Sequence, residues 1–248
     1  MSRDSTAKVL TVAFLVCVVC SIIVSAAAVG LQKRQQQNQE EEKKRNILQI
    51  AHLYDPAQPV EQQFRRLTTV TVDLASGTVL NKAAGKPKNL AIPAVADLAG
   101  IKQRAETVEV YLQQEAGRLK QVILPVYGKG LWSTMYGFIA LGSDCSSVSG
   151  FGFYQHGETP GLGGEIENPA WLKTWQGKTV YAQNGSVALT VVKPGTANSN
   201  YTIDGLSGAT LTSRGVSNLI HYWLGENGYK PFLDGLRKKP LAIRRAQP

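Results

Sequence analysis

From Val9 to Leu31 the chain carries no charged residue and is dominated by Val, Leu, Ile, Ala and Phe. At about 1.5 Å per residue, a helix of that length crosses the roughly 30 Å of hydrocarbon in a bilayer. This feature constrains the chain more than any other: one segment is a membrane helix, and a packed domain has to be sought downstream of it. The rival reading is a cleaved signal peptide, because Ser25-Ala26-Ala27-Ala28 offers small residues. Signal cores usually hold about 7 to 15 apolar residues, so a retained anchor at 9–31 behind a short tail at 1–8 is expected. Cys17 and Cys20 have metal-motif spacing but lie midway along this helix with no second ligand pair, so no metal site is expected.

Arg3 and Lys8 precede the anchor, whereas Lys33, Arg34, Lys43, Lys44 and Arg45 follow it. That excess would keep the following domain in the cytoplasm, although the rule weakens when a long domain is translocated. Residues 32–55 read as a stalk helix, with Glu40 to Glu42 placed to pair with Lys43 to Arg45 and with Asp55-Pro56 as its stop.

A soluble domain is expected over 56–240, followed by a basic tail at 241–248. Of 248 residues, 43% are hydrophobic and 18% charged, which suits a globular core. The net charge of +9 is spread along the chain rather than gathered into an aromatic-interleaved stripe, so no nucleic-acid partner is expected. Arg237, Lys238, Lys239, Arg244 and Arg245 form the clearest basic run, read either as solvated or as facing anionic headgroups or an acidic protein partner. Cys145 is the only cysteine beyond the anchor, which leaves no disulfide within the domain and makes it a small space-filler.

Alternation at Val70, Val72 and Leu74 and at Val108, Val110 and Leu112 marks strands, as does the Val122-Ile123-Leu124 run ending at Pro125. Further strands are expected at 137–141, 148–155, 179–182 and 187–192. Asn168-Pro169 opens one helix carrying Trp171, Leu172 and Trp175 and ending near Gly177. A second begins near Thr212-Ser213 and buries Val216, Leu219, Ile220, Trp223 and Leu224 before Gly225. The expected class is α+β, a mostly antiparallel sheet packed with helices and preceded by one transmembrane helix.

Between a strand and that second helix runs Asp204-Gly205-Leu206-Ser207-Gly208-Ala209-Thr210-Leu211-Thr212-Ser213. A helix N-terminus offers unpaired N–H groups and partial positive charge to a phosphate, and Gly208 and Ala209 allow close approach. The residues alone leave a capped turn, with Thr212 as a cap, or a generic phosphate loop open. No dinucleotide glycine fingerprint and no Gly-x-x-x-x-Gly-Lys-Ser/Thr motif occurs.

Asp204 to Thr210 resembles the flavinylation signature in which the final threonine is esterified to the phosphate of FMN. His156-Gly157-Glu158-Thr159-Pro160-Gly161-Leu162-Gly163 resembles the companion motif of the same FMN-binding domain. With Gly130-Leu131-Trp132-Ser133-Thr134-Met135-Tyr136-Gly137, the chain is similar to the C-subunit family of sodium-translocating NADH:quinone oxidoreductases more than to the Rnf-type G subunit. The likeness covers anchor, stalk and nearly the whole soluble domain.

The resemblance implies a membrane electron carrier with covalent FMN on Thr210 and Ser207, Gly208, Ala209 and Leu211 around the attachment point. It further implies Trp132, Glu158, Thr159 and Leu162 about the flavin and Lys193 as a cation near it, with no catalytic residue on this chain alone. His156 is expected to bond its own turn. The implied partners are the other membrane subunits, the lipid bilayer and a flavin transferase that takes FMN from FAD. The implied setting is a bacterial inner membrane with the domain in the periplasm, against the charge count. Two alternatives stay open: an Rnf-type flavoprotein subunit, and a membrane-tethered binding or structural subunit without flavin.

Overall fold

The structure is a computed structural model that describes residues 6–80 and 88–238. Arg3, Lys239, Arg244, Arg245 and the tail at 241–248 lie outside the described residues. The chain forms two units, Met1–Lys44 and Arg45–Pro248. Helix α1 (Thr6–Ile50) supplies the first unit and is long and apolar enough to cross a membrane. It ends at Ile50, ahead of the Asp55-Pro56 stop read from sequence, because His52 turns into the left-handed region (φ 55°).

Within the second unit, Ile47 and Leu48 at the end of α1 are fully buried. After α1 come α2 (Val60–Phe64), β1 (Leu67–Asp73), β2 (Val79–Leu80), β3 (Asn89–Ala91) and β4 (Gln103–Ala105). The main strands β5 (Thr107–Glu115), β6 (Arg118–Lys129), β7 (Thr134–Gly142) and β8 (Val148–Gln155) follow. A six-stranded antiparallel sheet runs β2-β1-β5-β6-β7-β8, and β3 pairs with β4 apart from it.

Both faces of this sheet are covered, which explains the continuous apolar runs of its central strands. Val110, Leu112, Val122, Leu124, Ile139 and Leu141 enter the larger core, whereas Tyr111, Ile123, Phe138 and Ala140 enter a second one with Ile47, Leu48, Ala51 and Val60. Strand β6 continues through Pro125, where the sequence placed its end. The β5 partners of β6 stop at Ile123, so the N–H that Pro125 lacks is not needed on that side.

A short 3-10 turn at Gly163–Glu167 leads to α3 (Pro169–Lys173), whose N-cap Asn168 accepts from the Ala170 amide. The expected strand at 179–182 is reduced to isolated bridges, and that at 187–192 to β9 (Thr190–Val192), which pairs in parallel with β10 (Thr202–Asp204). Helix α4 (Thr210–Trp223) starts two residues before the Thr212 read from sequence, and α5 (Lys230–Lys238) follows it. Buried Val216, Leu219, Ile220 and Trp223 from α4 and Phe232, Leu233 and Leu236 from α5 complete the larger core.

Candidate flavin site at the start of helix α4

Strand β10 delivers the chain to α4 through Gly205 to Ala209, and four bonds fix this turn. The Gly205 amide donates to the Val192 carbonyl (2.8 Å), and a Cβ on Gly205 would sit 2.6 Å from that same oxygen. Asp204 Oδ1 accepts from the amides of Thr196 and Ala197, both at 2.9 Å, which shapes the loop after β9. Ser213 Oγ accepts from the Leu206 amide at 3.0 Å.

Gly208 adopts φ +75°, a conformation that favours glycine. Ala209, 5% exposed, is the N-cap and gives α4 no side-chain capping bond. Thr212 is therefore not a cap: it is 1% exposed, and its hydroxyl donates to Glu158 Oε2 at 2.6 Å. Thr210, at the first helical position, is exposed, as are Ser207 and Leu211. On the first turn of α4 the hydroxyls of Thr212 and Ser213 thus point inward and that of Thr210 is at the surface.

Glu158 links three segments. Its Oε1 accepts from the amides of Trp132 (2.9 Å) and Ser133 (3.2 Å), and its Oε2 from the Leu131 amide (3.1 Å) and from Thr212. Burial alone would push its carboxyl up. The bond from Thr212, then those from the Trp132, Ser133 and Leu131 amides, outweigh that and hold it below the usual glutamate range. Two glycines make room for it: a Cβ on Gly130 would lie 2.5 Å from Oε1, and one on Gly163 2.6 Å from Thr212 Oγ1.

The tip between β6 and β7 is thereby pinned to the start of α4, with Leu131 and Trp132 on its outside. Gly157 donates its amide to Ser133 Oγ (2.6 Å), and His156 Nδ1 accepts from the Glu158 amide (3.1 Å), the turn-bonding role expected of it. Leu162 reaches Gly208, its Cδ2 standing 3.0 Å from where a Cβ would be. Thr159 is exposed, and its carbonyl accepts from the Leu162 and Gly164 amides. Lys193 is exposed one residue after Val192, at the turn that β9 enters.

The large apolar side chains exposed in the second unit, among the described residues, are Val95, Leu98, Leu131, Trp132, Leu162 and Leu211. Leu98, Leu131 and Leu211 share one groove of about 250 Å³ with Lys129, Arg214 and Asn218. The residues fit FMN: an uncapped helix start for a phosphate, an exposed alcohol beside it, and solvent-facing apolar side chains for a flat ring. The sequence singled out Thr210, Ser207, Gly208, Ala209, Leu211, Trp132, Glu158 and Leu162, and the structure gathers them on this end of the domain. It did not reveal the Glu158–Thr212 bond or the groove at Leu98, Lys129 and Arg214, since both depend on contacts distant along the chain.

The family description "FMN-binding domain" matches residues 130–225, from the hairpin tip to just past α4. A relative from Pseudomonas aeruginosa, named as the C subunit of Na(+)-translocating NADH-quinone reductase, is 47% identical, covering 96% of this chain and 98% of the relative. One of the same name from Yersinia pestis is 44% identical over 97% and 96%. The crystal structure of Shewanella oneidensis NqrC matches with a TM-score of 0.72 and 31% identity, covering 80% of this chain and 98% of that one. The corresponding protein from Parabacteroides distasonis matches at 0.65 with 28% identity, over 82% and 96%.

Proposed function

The chain belongs to the C-subunit family of Na(+)-translocating NADH-quinone reductases, and from that premise we propose that it carries its FMN covalently, through the phosphate, on Thr210. It is an electron-carrying subunit of that oxidoreductase complex, working with the other subunits, and FMN is its cofactor. The Rnf-type alternative is set aside by the names of relatives that match over nearly their full length, and the flavin-free alternative by the FMN-binding family match.

The observation that carries the attachment is the exposed Thr210 hydroxyl at the first position of an uncapped 14-residue helix, inside the family's motif. The N–H groups of that turn and the positive end of α4 hold the phosphate charge. Gly208 leaves the approach open, with Ser207 and Ala209 beside it and Thr159 on the neighbouring loop. Trp132, Leu162 and Leu211, all exposed, would cover the apolar ring, and exposed Lys193 would add positive charge. When bound, FMN supplies the redox chemistry, while the chain supplies placement and local polarity.

By the family's attachment chemistry a flavin transferase would deliver FMN from FAD: the Thr210 oxygen would bond to the FMN phosphorus as the pyrophosphate P–O bond to AMP breaks, with the Thr210 proton lost and AMP leaving. The family's attachment chemistry supports a periplasmic domain on a single-pass inner-membrane anchor. Intact mass tests the attachment. The wild-type chain is expected to carry FMN minus water, whereas Thr210→Val keeps the fold and loses that mass together with the fluorescence of the denatured band. A normal flavin mass on Thr210→Val overturns the assignment.

A further inference from the structure

An ionised carboxylate has about four acceptor positions, two on each oxygen. In Glu158 each oxygen already accepts two bonds from the protein, Trp132 and Ser133 at Oε1 and Leu131 and Thr212 at Oε2. The residue is 5% exposed, and the Gly130 and Gly163 positions close against it. No acceptor is left to receive a ligand. The four bonds instead join the hairpin tip carrying Trp132 to Thr212, two residues along the same helical turn from Thr210.

We propose that Glu158 is a positioning residue: by bonding the Leu131, Trp132 and Ser133 amides to Thr212 it sets where Trp132 stands relative to Thr210, and so sets the flavin's surroundings without touching the flavin. The second half rests on the attachment of FMN to Thr210; the first half does not. Charged hydrogen bonds of this kind are the strong ones, and removing a buried member of such a set leaves the remaining donors unpaired. The Lys129 ammonium, which reaches the Trp132 carbonyl at 3.3 Å on the exposed side, gives the tip a further tether.

Hydrogen exchange of the full chain in detergent tests the brace without any flavin. In Glu158→Gln the Leu131, Trp132 and Ser133 amides are expected to lose at least tenfold in protection, with the β7 and β8 ladder unchanged. Thr212→Val, which cuts one bond and leaves the carboxylate, is expected to show a smaller loss at the same amides, and it serves if Glu158→Gln fails to fold. Unchanged protection at the tip in either folded variant overturns the brace.

Redox titration of the loaded chain tests the effect on the flavin. Glu158→Asp keeps the charge but is too short to span both partners, so its potential is expected to shift as that of Glu158→Gln does. In a Trp132→Ala background, Glu158→Gln is expected to add no further shift. A wild-type potential in Glu158→Asp, or full additivity with Trp132→Ala, would mean that Glu158 acts by its charge, and the positioning role falls. Absence of flavin mass from the wild-type chain would defeat the attachment reading and leave the exchange result standing on its own.

Discussion

Glu158 shows how a single residue couples pH to the site. Its folded carboxyl lies below the ordinary value of 4.5, so the stability it contributes is fully present above that value and is lost as pH falls through the depressed one. Acid titration of the wild-type chain, followed by exchange at Trp132 and Ser133, should show the hairpin tip loosening only at a pH below 4.5. Glu158→Gln should show no such titration. Thr212→Val should retain covalent flavin, and its cost of about 1 to 3 kcal/mol comes from a buried, partly unpaired carboxylate rather than from a lost cap. Mass and urea unfolding check both. Thr210 was singled out from sequence because its neighbours form a contiguous motif. The partners of Glu158 were not, because they lie 25 to 54 residues away in sequence and only folding brings them together.

At the scale of elements, the strands with clear alternation or dense apolar runs were legible, and β8 has the bounds read from its residue pattern. Strand β6 ran on past Pro125 because the ladder there tolerates a missing donor, which single-strand patterning does not register. Helix α5 escaped the sequence reading altogether: Pro231 sits in its first turn, Gly235 weakens its middle, and its buried positions occupy only two turns. Tertiary contact makes up the difference, since Gly77 packs so closely on Pro231 and Phe232 that a Cβ there would lie 2.5 Å from the Phe232 amide nitrogen. Phe232 is 2% exposed. Phe232→Ala should therefore cost about 3 to 5 kcal/mol in urea unfolding monitored by the buried tryptophans. A cost under about 1 kcal/mol would mean that α5 is a surface appendage. Cys145 fits the filler role, as burial pushes its thiol up to about 11.

For the whole molecule, α1 is long and apolar enough to cross a membrane once, and two opposed physical effects bear on the side on which the second unit would then reside. Five basic residues after the anchor favour the cytoplasm, while the proposed attachment chemistry favours the periplasm. Protease added to intact spheroplasts is expected to digest the soluble unit; protection until the membrane is permeabilised would place it in the cytoplasm, as the charges favour. Sequence alone bounded the architecture here, but the membrane side is a property of the bilayer and of translocation, not of packing.

The inward hydroxyls of Thr212 and Ser213 limit which alcohols a modifying enzyme can reach. In an unfolded chain the alcohols of Ser207, Thr210, Thr212 and Ser213 are all open to solvent. Folding withdraws Thr212 and Ser213 into the interior and raises Thr210 at the mouth of a helix. An enzyme acting on the folded domain, as proposed for Thr210, would meet only Ser207 and Thr210 of these four, so folding halves the choice and the local Ser207-Gly208-Ala209-Thr210 sequence has to make the rest.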